Sequence, residues 1–133
     1  MRRLLLGMIV LCSAACLENI ERGASTINGA YTLRTVNGAA LPYRVVVNST
    51  TTNEIIDDEY TLYQGGTYSR SAHSRTTTNA VVADVTITET GAYSLLGSGI
   101  YFKSNETGLT TSAMGDGNSL TISDASKTMI YKK

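Results

Sequence analysis

The chain has 133 residues, and its eleven basic and eleven acidic side chains give a formal net charge of zero. No block of like charge is present, which argues against nucleic acid or an anionic membrane surface as an electrostatic partner. Two cysteines and a single histidine leave few side chains for a disulfide framework, a thiolate nucleophile or a zinc site.

The first sixteen residues have the layout of a bacterial export signal. Arg2 and Arg3 supply a basic start, and residues 4–15 form an apolar stretch. That stretch is shorter than the ~20 residues of a membrane-spanning helix. The ending Ser13-Ala14-Ala15-Cys16 is similar to the lipoprotein pattern Leu-[Ala/Ser]-[Gly/Ala]-Cys. We therefore expect a lipoprotein-type signal peptide over 1–15 and lipidation of Cys16, with ordinary cleavage to a soluble periplasmic or secreted protein as the alternative.

Cysteine usage favours the lipidated form. Cys12 and Cys16 both lie in the signal region, so Cys16 has no partner thiol in the domain that follows. Residues 16–26 read as the lipidated cysteine and a flexible tether. The expected location is the cell envelope, with attachment to the membrane through the N-terminal lipid. In a Gram-negative cell, Leu17 after the lipidated cysteine implies the outer membrane.

From residue 27 onward the chain is rich in threonine, serine, tyrosine and valine, which suit strands, and no stretch shows convincing helical spacing. Strong turn signals separate the runs, beginning with Asn37-Gly38 and Gly65-Gly66. The clearest alternation is that of Val81, Ala83, Val85 and Ile87, which predicts that these four side chains face inward. The same pattern predicts further inward-facing sets, namely Tyr31, Leu33 and Thr35; Tyr60 and Leu62; Tyr93 and Leu95; Ile100 and Phe102; Leu120 and Ile122.

These runs predict an all-β domain over 27–133. Eight to ten short strands joined by tight turns favour an antiparallel up-and-down meander. A meander of this length exposes two edges unless it closes, so we expect a small barrel. A β-sandwich is the alternative.

One segment of the chain resembles a known group of proteins. The run from Gly29 to Pro42, Gly-Ala-Tyr-Thr-Leu-Arg-Thr-Val-Asn-Gly-Ala-Ala-Leu-Pro, combines a Gly-x-Tyr-x-Leu strand, a Val-Asn-Gly turn and a Leu-Pro step. Gly91-Ala92-Tyr93 repeats the Gly-x-Tyr pattern, and Tyr131-Lys132-Lys133 ends the chain. In these features the chain resembles small, mostly uncharacterised bacterial lipoproteins with a lipocalin-like domain. The resemblance implies a meander barrel with an apolar cavity, and no specific ligand.

Two functions follow from this interpretation. The first is a non-enzymatic exported lipoprotein whose barrel binds a small hydrophobic ligand, and the second is a structural or protein-interaction lipoprotein of the envelope whose core is filled. Protein partners are not identified by the sequence. The candidate ligand-lining side chains are those expected to face the interior: Tyr31, Leu33, Val45, Tyr60, Leu62, Tyr68, Val85, Ile87, Tyr93, Leu95 and Phe102.

Few side chains suggest chemistry, and we expect no catalytic residues, cofactor or metal. His73 is the only histidine and has no distinctive catalytic partner nearby, so we expect it at the surface. Alternation places Asp58 on the opposite face from Asp57 and Glu59, so this cluster is expected to be a charged outer face or loop end rather than an ion site. Gly115-Asp116-Gly117-Asn118 lacks the closing ligands of a calcium loop and is predicted to be a hairpin turn.

Overall fold

A computed structural model describes residues 27–133. The predicted signal peptide, Cys16 and the tether lie outside these residues. The described part of the chain contains ten strands: β1 Gly29–Val36, β2 Ala39–Ala40, β3 Tyr43–Val46, β4 Thr51–Tyr63, β5 Thr67–Thr78, β6 Val81–Leu96, β7 Gly99–Ser104, β8 Thr110–Gly115, β9 Ser119–Ser123 and β10 Thr128–Lys132. Within residues 27–133, no helix has both the length and the apolar character needed to span a membrane.

The strands form a closed antiparallel barrel. From β4 to β10 each strand pairs with the next in sequence, and β10 then pairs with β1. The barrel closes where Gly29–Thr32 of β1 pairs with Glu59–Leu62 of β4. Eight strands, β1 and β4 to β10, therefore make the barrel, while the short β2 and β3 lie at its margin. The predicted meander barrel is confirmed, and the sandwich alternative is wrong.

A bulge in β1 changes which residues face the core. Its pairing with β10 shifts between Leu33 and Thr35, so the alternation is broken at Arg34. Tyr31 and Leu33 are buried before the bulge, and beyond it Val36 is buried whereas Thr35 is not. The prediction that Thr35 continues the inward face was wrong, because a bulge adds one residue and reverses the orientation of every side chain beyond it.

The end of the barrel at the β4–β5 and β8–β9 turns is filled by aromatic side chains. The Tyr60 ring centroid lies 4.9 Å from that of Phe102 and 5.5 Å from that of Tyr131, and Tyr68 lies 5.0 Å from Phe102. Ile27 is also buried here, and its carbonyl accepts a hydrogen bond from the Tyr31 hydroxyl at 2.7 Å. Burial raises the pKa of Tyr31 to about 12, because an ionised phenolate would lose its hydration. This end of the interior is a packed core.

The opposite ends of β4, β5 and β6 extend past the barrel. Residues 51–57, 72–78 and 81–89 of these strands, with β3 at one edge, form a four-stranded extension that we call the ribbon. Its outer face carries ion pairs, including Arg75–Asp84 at 2.8 Å and Arg44–Glu54 at 3.2 Å. Its inner face continues the interior surface of the barrel. The fold thus has one closed end and one end that opens beneath the ribbon.

Candidate functional site

A cavity of about 670 Å³ lies at the open end of the barrel. The inner face of the ribbon forms one wall, and the ends of β8, β9 and β10 form the opposite wall. Its lining residues are Asn53, Ile55, Asp58, Tyr60, Arg70, Ala72, His73, Ser74, Ile87, Thr110, Thr111, Ser112, Ile122, Ser123, Asp124, Lys127 and Met129. The cavity is therefore built from both halves of the meander and could not exist without barrel closure.

An ion pair between the buried Asp58 and the partly buried Arg70 forms the floor of the cavity. Asp58 is only 2% exposed, and its carboxylate accepts hydrogen bonds from Arg70 Nε at 3.0 Å and Arg70 Nη2 at 2.7 Å. The Tyr131 hydroxyl donates to the same carboxylate at 2.9 Å. The Arg70 guanidinium also lies 5.1 Å from the centroid of the Tyr60 ring, within cation–π range. The floor is thus a satisfied charge pair supported by the aromatic core.

The charge on Arg70 is secured by Asp58. Burial opposes the charged form, but the hydrogen bonds and negative charge of Asp58 outweigh it and raise the pKa of the guanidinium above its ordinary value. Burial, followed by the nearby charge of Asp58, raises the pKa of the Tyr131 hydroxyl, so this group stays protonated and donates. The floor therefore presents a fixed dipole with no net charge.

The walls above the floor combine apolar residues with polar ones such as Ser74, Thr111 and Ser112. Ile55, Ala72 and Ile87 lie on the ribbon side, and Ile122 and Met129 lie on the opposite side. Among the polar lining residues, Asn53 stands apart because its Oδ1 is buried without a hydrogen-bond partner. At the rim, Lys127 Nζ lies 3.0 Å from Asp124 Oδ2, so these two charges compensate each other. The cavity suits a molecule with an apolar body and a polar end.

The candidate ligand-lining residues divide into three groups in the structure. Tyr60 and Ile87 line the cavity. Val45 and Val85 lie exposed on the inner face of the ribbon, and Leu95 is exposed beyond the barrel at the far end of β6. The rest are buried in the packed core, namely Tyr31, Leu33, Leu62, Tyr68, Tyr93 and Phe102.

Asp58 and Arg70 are the site residues that sequence reasoning missed. The prediction that Asp58 faces away from Asp57 and Glu59 is confirmed, but the expectation of a charged outer face was wrong for Asp58, which is buried. A signal was available, since Asp58 is two residues from Tyr60 and Arg70 is two residues from Tyr68. Side chains at that spacing in a strand share a face, so Asp58 and Arg70 lie on the same inward face as Tyr60 and Tyr68.

The remaining polar candidates, His73 and Asp116, make local structural contacts. His73 is half-buried, and its Nδ1 lies 3.4 Å from Asp57 Oδ2 on the ribbon. Asp116 accepts hydrogen bonds from the backbone N–H groups of Asn118 and Ser119, so the predicted hairpin turn is confirmed. Within residues 27–133, no group of three or more histidine, cysteine, aspartate or glutamate side chains is placed to hold a metal ion.

Comparison with known proteins leaves the cavity as the main functional evidence. No protein-family model matches the chain, and a search of curated proteins returns no significant match.

Proposed function

We propose that this chain is a non-enzymatic exported lipoprotein that binds a small amphipathic molecule in the cavity beneath the ribbon. The observation that carries the proposal is the coexistence, in one barrel, of a packed end and an open cavity of about 670 Å³. Ligand pockets commonly occupy ~300–1,000 Å³ and combine apolar walls with a few fixed polar groups. The lipocalin-like sequence resemblance supports the same interpretation.

The binding mode follows from the distribution of polarity. The apolar body of the ligand would contact Ile55, Ile87 and Met129, and its polar end would meet the Asp58–Arg70 floor. Because these two charges already compensate each other, the floor offers oriented hydrogen-bonding groups rather than an unpaired charge that demands a counter-ion. A neutral or weakly polar head group therefore suits the site.

Native mass spectrometry of protein purified gently from its own host tests the proposal. A reproducible adduct of a few hundred daltons supports ligand binding and identifies the ligand class. A clean unliganded mass, together with failure of a lipophilic fluorescent probe to bind, would reject it.

A matched pair of variants assigns any binding to the cavity. Ala72 lines the cavity, whereas its neighbour Ser71 is exposed and points to the other face of β5. Ala72→Phe should reduce probe affinity by occupying part of the cavity, and Ser71→Phe should leave it unchanged. Equal effects of the two substitutions would place the probe elsewhere.

The anchor requires its own experiment. We propose that acyl chains on Cys16 hold the protein to the envelope membrane. In the expressing host, the wild-type chain should incorporate labelled fatty acid and partition with membranes, and Cys16→Ser should lose both properties. Label retained by Cys16→Ser would exclude lipidation at this residue, whereas an unlabelled wild-type protein would favour the soluble alternative.

A further inference from the structure

Strand β6 has an open edge along its ribbon half. Residues 81–89 pair with β5 on one side, but β7 pairs only with Gly91–Leu96, and no other described strand borders the open side. Backbone N–H and C=O groups along such an edge are available to another strand.

The hydrogen bonds of Thr90 fix which groups face the open edge. Its N–H donates to the Glu106 carboxylate at 3.0 Å, and its carbonyl accepts from the Asn105 N–H at 2.9 Å, so both groups point away from β5. Backbone groups alternate in direction along a strand paired antiparallel. The residues that share the orientation of Thr90 and lack a partner strand are Val82, Asp84, Thr86 and Thr88.

The side chains do not protect this edge. Natural edge strands are blunted by lysine, proline, bulges or short length. The β3 edge of the ribbon is four residues long, carries Arg44 and follows Pro42. In contrast, the open half of β6 reads Val-Val-Ala-Asp-Val-Thr-Ile-Thr, its ladder with β5 has no bulge, and Asp84 is already paired with Arg75. Its large apolar side chains are exposed, namely Val81, Val82, Val85 and Ile87.

We propose that this edge pairs antiparallel with the same edge of a second copy of the chain, in a register centred on Val85. In this register Asp84 lies opposite Thr86 of the second copy, and Val82 lies opposite Thr88. All four outward-facing residues then take part, forming about eight backbone hydrogen bonds in total. On the inner face Val85 meets its own copy, so the apolar inner surface continues across the junction.

Charge repulsion and the existing hydrogen bonds of Thr90 favour this register over the registers centred on Asp84 and on Thr86. A register centred on Asp84 would place the two Asp84 carboxylates directly opposite each other, which is destabilising. A register centred on Thr86 would place Val82 opposite Thr90, whose N–H and carbonyl are already bonded to Glu106 and Asn105. In the register centred on Val85, the acidic Asp84 meets a hydroxyl that can donate a hydrogen bond to it.

Disulfide trapping tests the register. In the full chain with Cys12 and Cys16 replaced by serine, Val85→Cys would bring two thiols together in a non-hydrogen-bonded pair, whose Cα atoms lie about 4.5 Å apart, within disulfide range. Val81→Cys is the matched control, because the two Val81 positions would lie about 27 Å apart along the strands. Val81 is 69% exposed and Val85 is 47% exposed, so random collision would favour the control.

Under mild oxidation we expect Val85→Cys to form a covalent dimer and Val81→Cys to remain monomeric. Equal trapping of both variants, or of neither, would overturn the proposed register. These outcomes do not depend on ligand binding, so they leave the proposed function of the cavity to its own test.

Sedimentation velocity of the cysteine-free chain provides a second test. Thr86→Asp would oppose Asp84 of the second copy at two symmetric places, and should weaken self-association about two- to thirtyfold. Thr86→Lys should strengthen it by a similar factor. A sedimentation coefficient of the monomer at every accessible concentration would overturn pairing between copies. Far-ultraviolet circular dichroism of each variant checks that the fold is retained.

Discussion

Replacing Arg70 by methionine should lower the free energy of unfolding, because it leaves an unpaired charge inside the barrel. Asp58 is buried, and Arg70 provides its shortest contact, at 2.7 Å, a further contact at 3.0 Å, and its only counter-charge among the described residues. Within residues 27–133, Arg70→Met leaves Tyr131 as the sole remaining donor to the carboxylate. We therefore expect a loss of about 3–5 kcal/mol in the free energy of unfolding, the range found when a buried pair loses one partner.

Urea denaturation followed by far-ultraviolet circular dichroism measures this effect as a fall in the transition midpoint at an unchanged slope. Two further variants isolate the cause. The double variant Asp58→Leu/Arg70→Met removes both charges and should be more stable than Arg70→Met alone. Arg44→Met breaks the exposed pair with Glu54 and should cost no more than about 1 kcal/mol. The reasoning fails if Arg70→Met costs as little as Arg44→Met, or if the double variant is the least stable of the three.

Two other predictions concern the packed core. Gly91→Ala would place a Cβ 2.1 Å from the Lys103 carbonyl oxygen and 2.6 Å from Tyr68, so we expect a loss of about 1–3 kcal/mol, or failure to fold, in the same assay. At Gly38 an added Cβ meets no neighbouring atom, so Gly38→Ala should lower the free energy of unfolding only through the positive φ of this position, by about 1–2 kcal/mol. A greater loss for Gly38→Ala than for Gly91→Ala would contradict the packing argument. Burial raises the pKa of five tyrosine hydroxyls above the ordinary value of 10.0, namely Tyr31, Tyr60, Tyr68, Tyr93 and Tyr131. The unfolded chain releases these protons first, so stability should be fully present below pH 10 and decline above it, and a midpoint in urea that stays constant from pH 9 to 11.5 would refute this.

Local sequence determined much of the strand architecture. Threonine, valine and tyrosine runs separated by turn residues predicted an all-β meander, and closure followed from the cost of leaving two long edges exposed. The Asn37-Gly38 turn is an example of a purely local signal. Both residues have positive φ, 51° and 79°, as a tight hairpin turn requires, and asparagine and glycine tolerate this conformation best.

The cavity depended on features that alternation alone does not contain. In β4 the register shifts between Ile55 and Asp57, so Ile55 and Asp58 both line the cavity although they are three residues apart. Alternation also does not report depth along the barrel axis. Val85 belongs to the most regular apolar pattern in the chain, yet it lies on the ribbon and is exposed.

The amino-acid sequence by itself determined the strand class, the turns and the side of each strand that carries apolar residues, because these depend on neighbours one to four positions away. Tertiary structure decided where the strands extend beyond the barrel, which end is filled, and how Asp58 meets Arg70 and Tyr131. These features depend on register between distant strands, and a single bulge changes the orientation of every side chain beyond it.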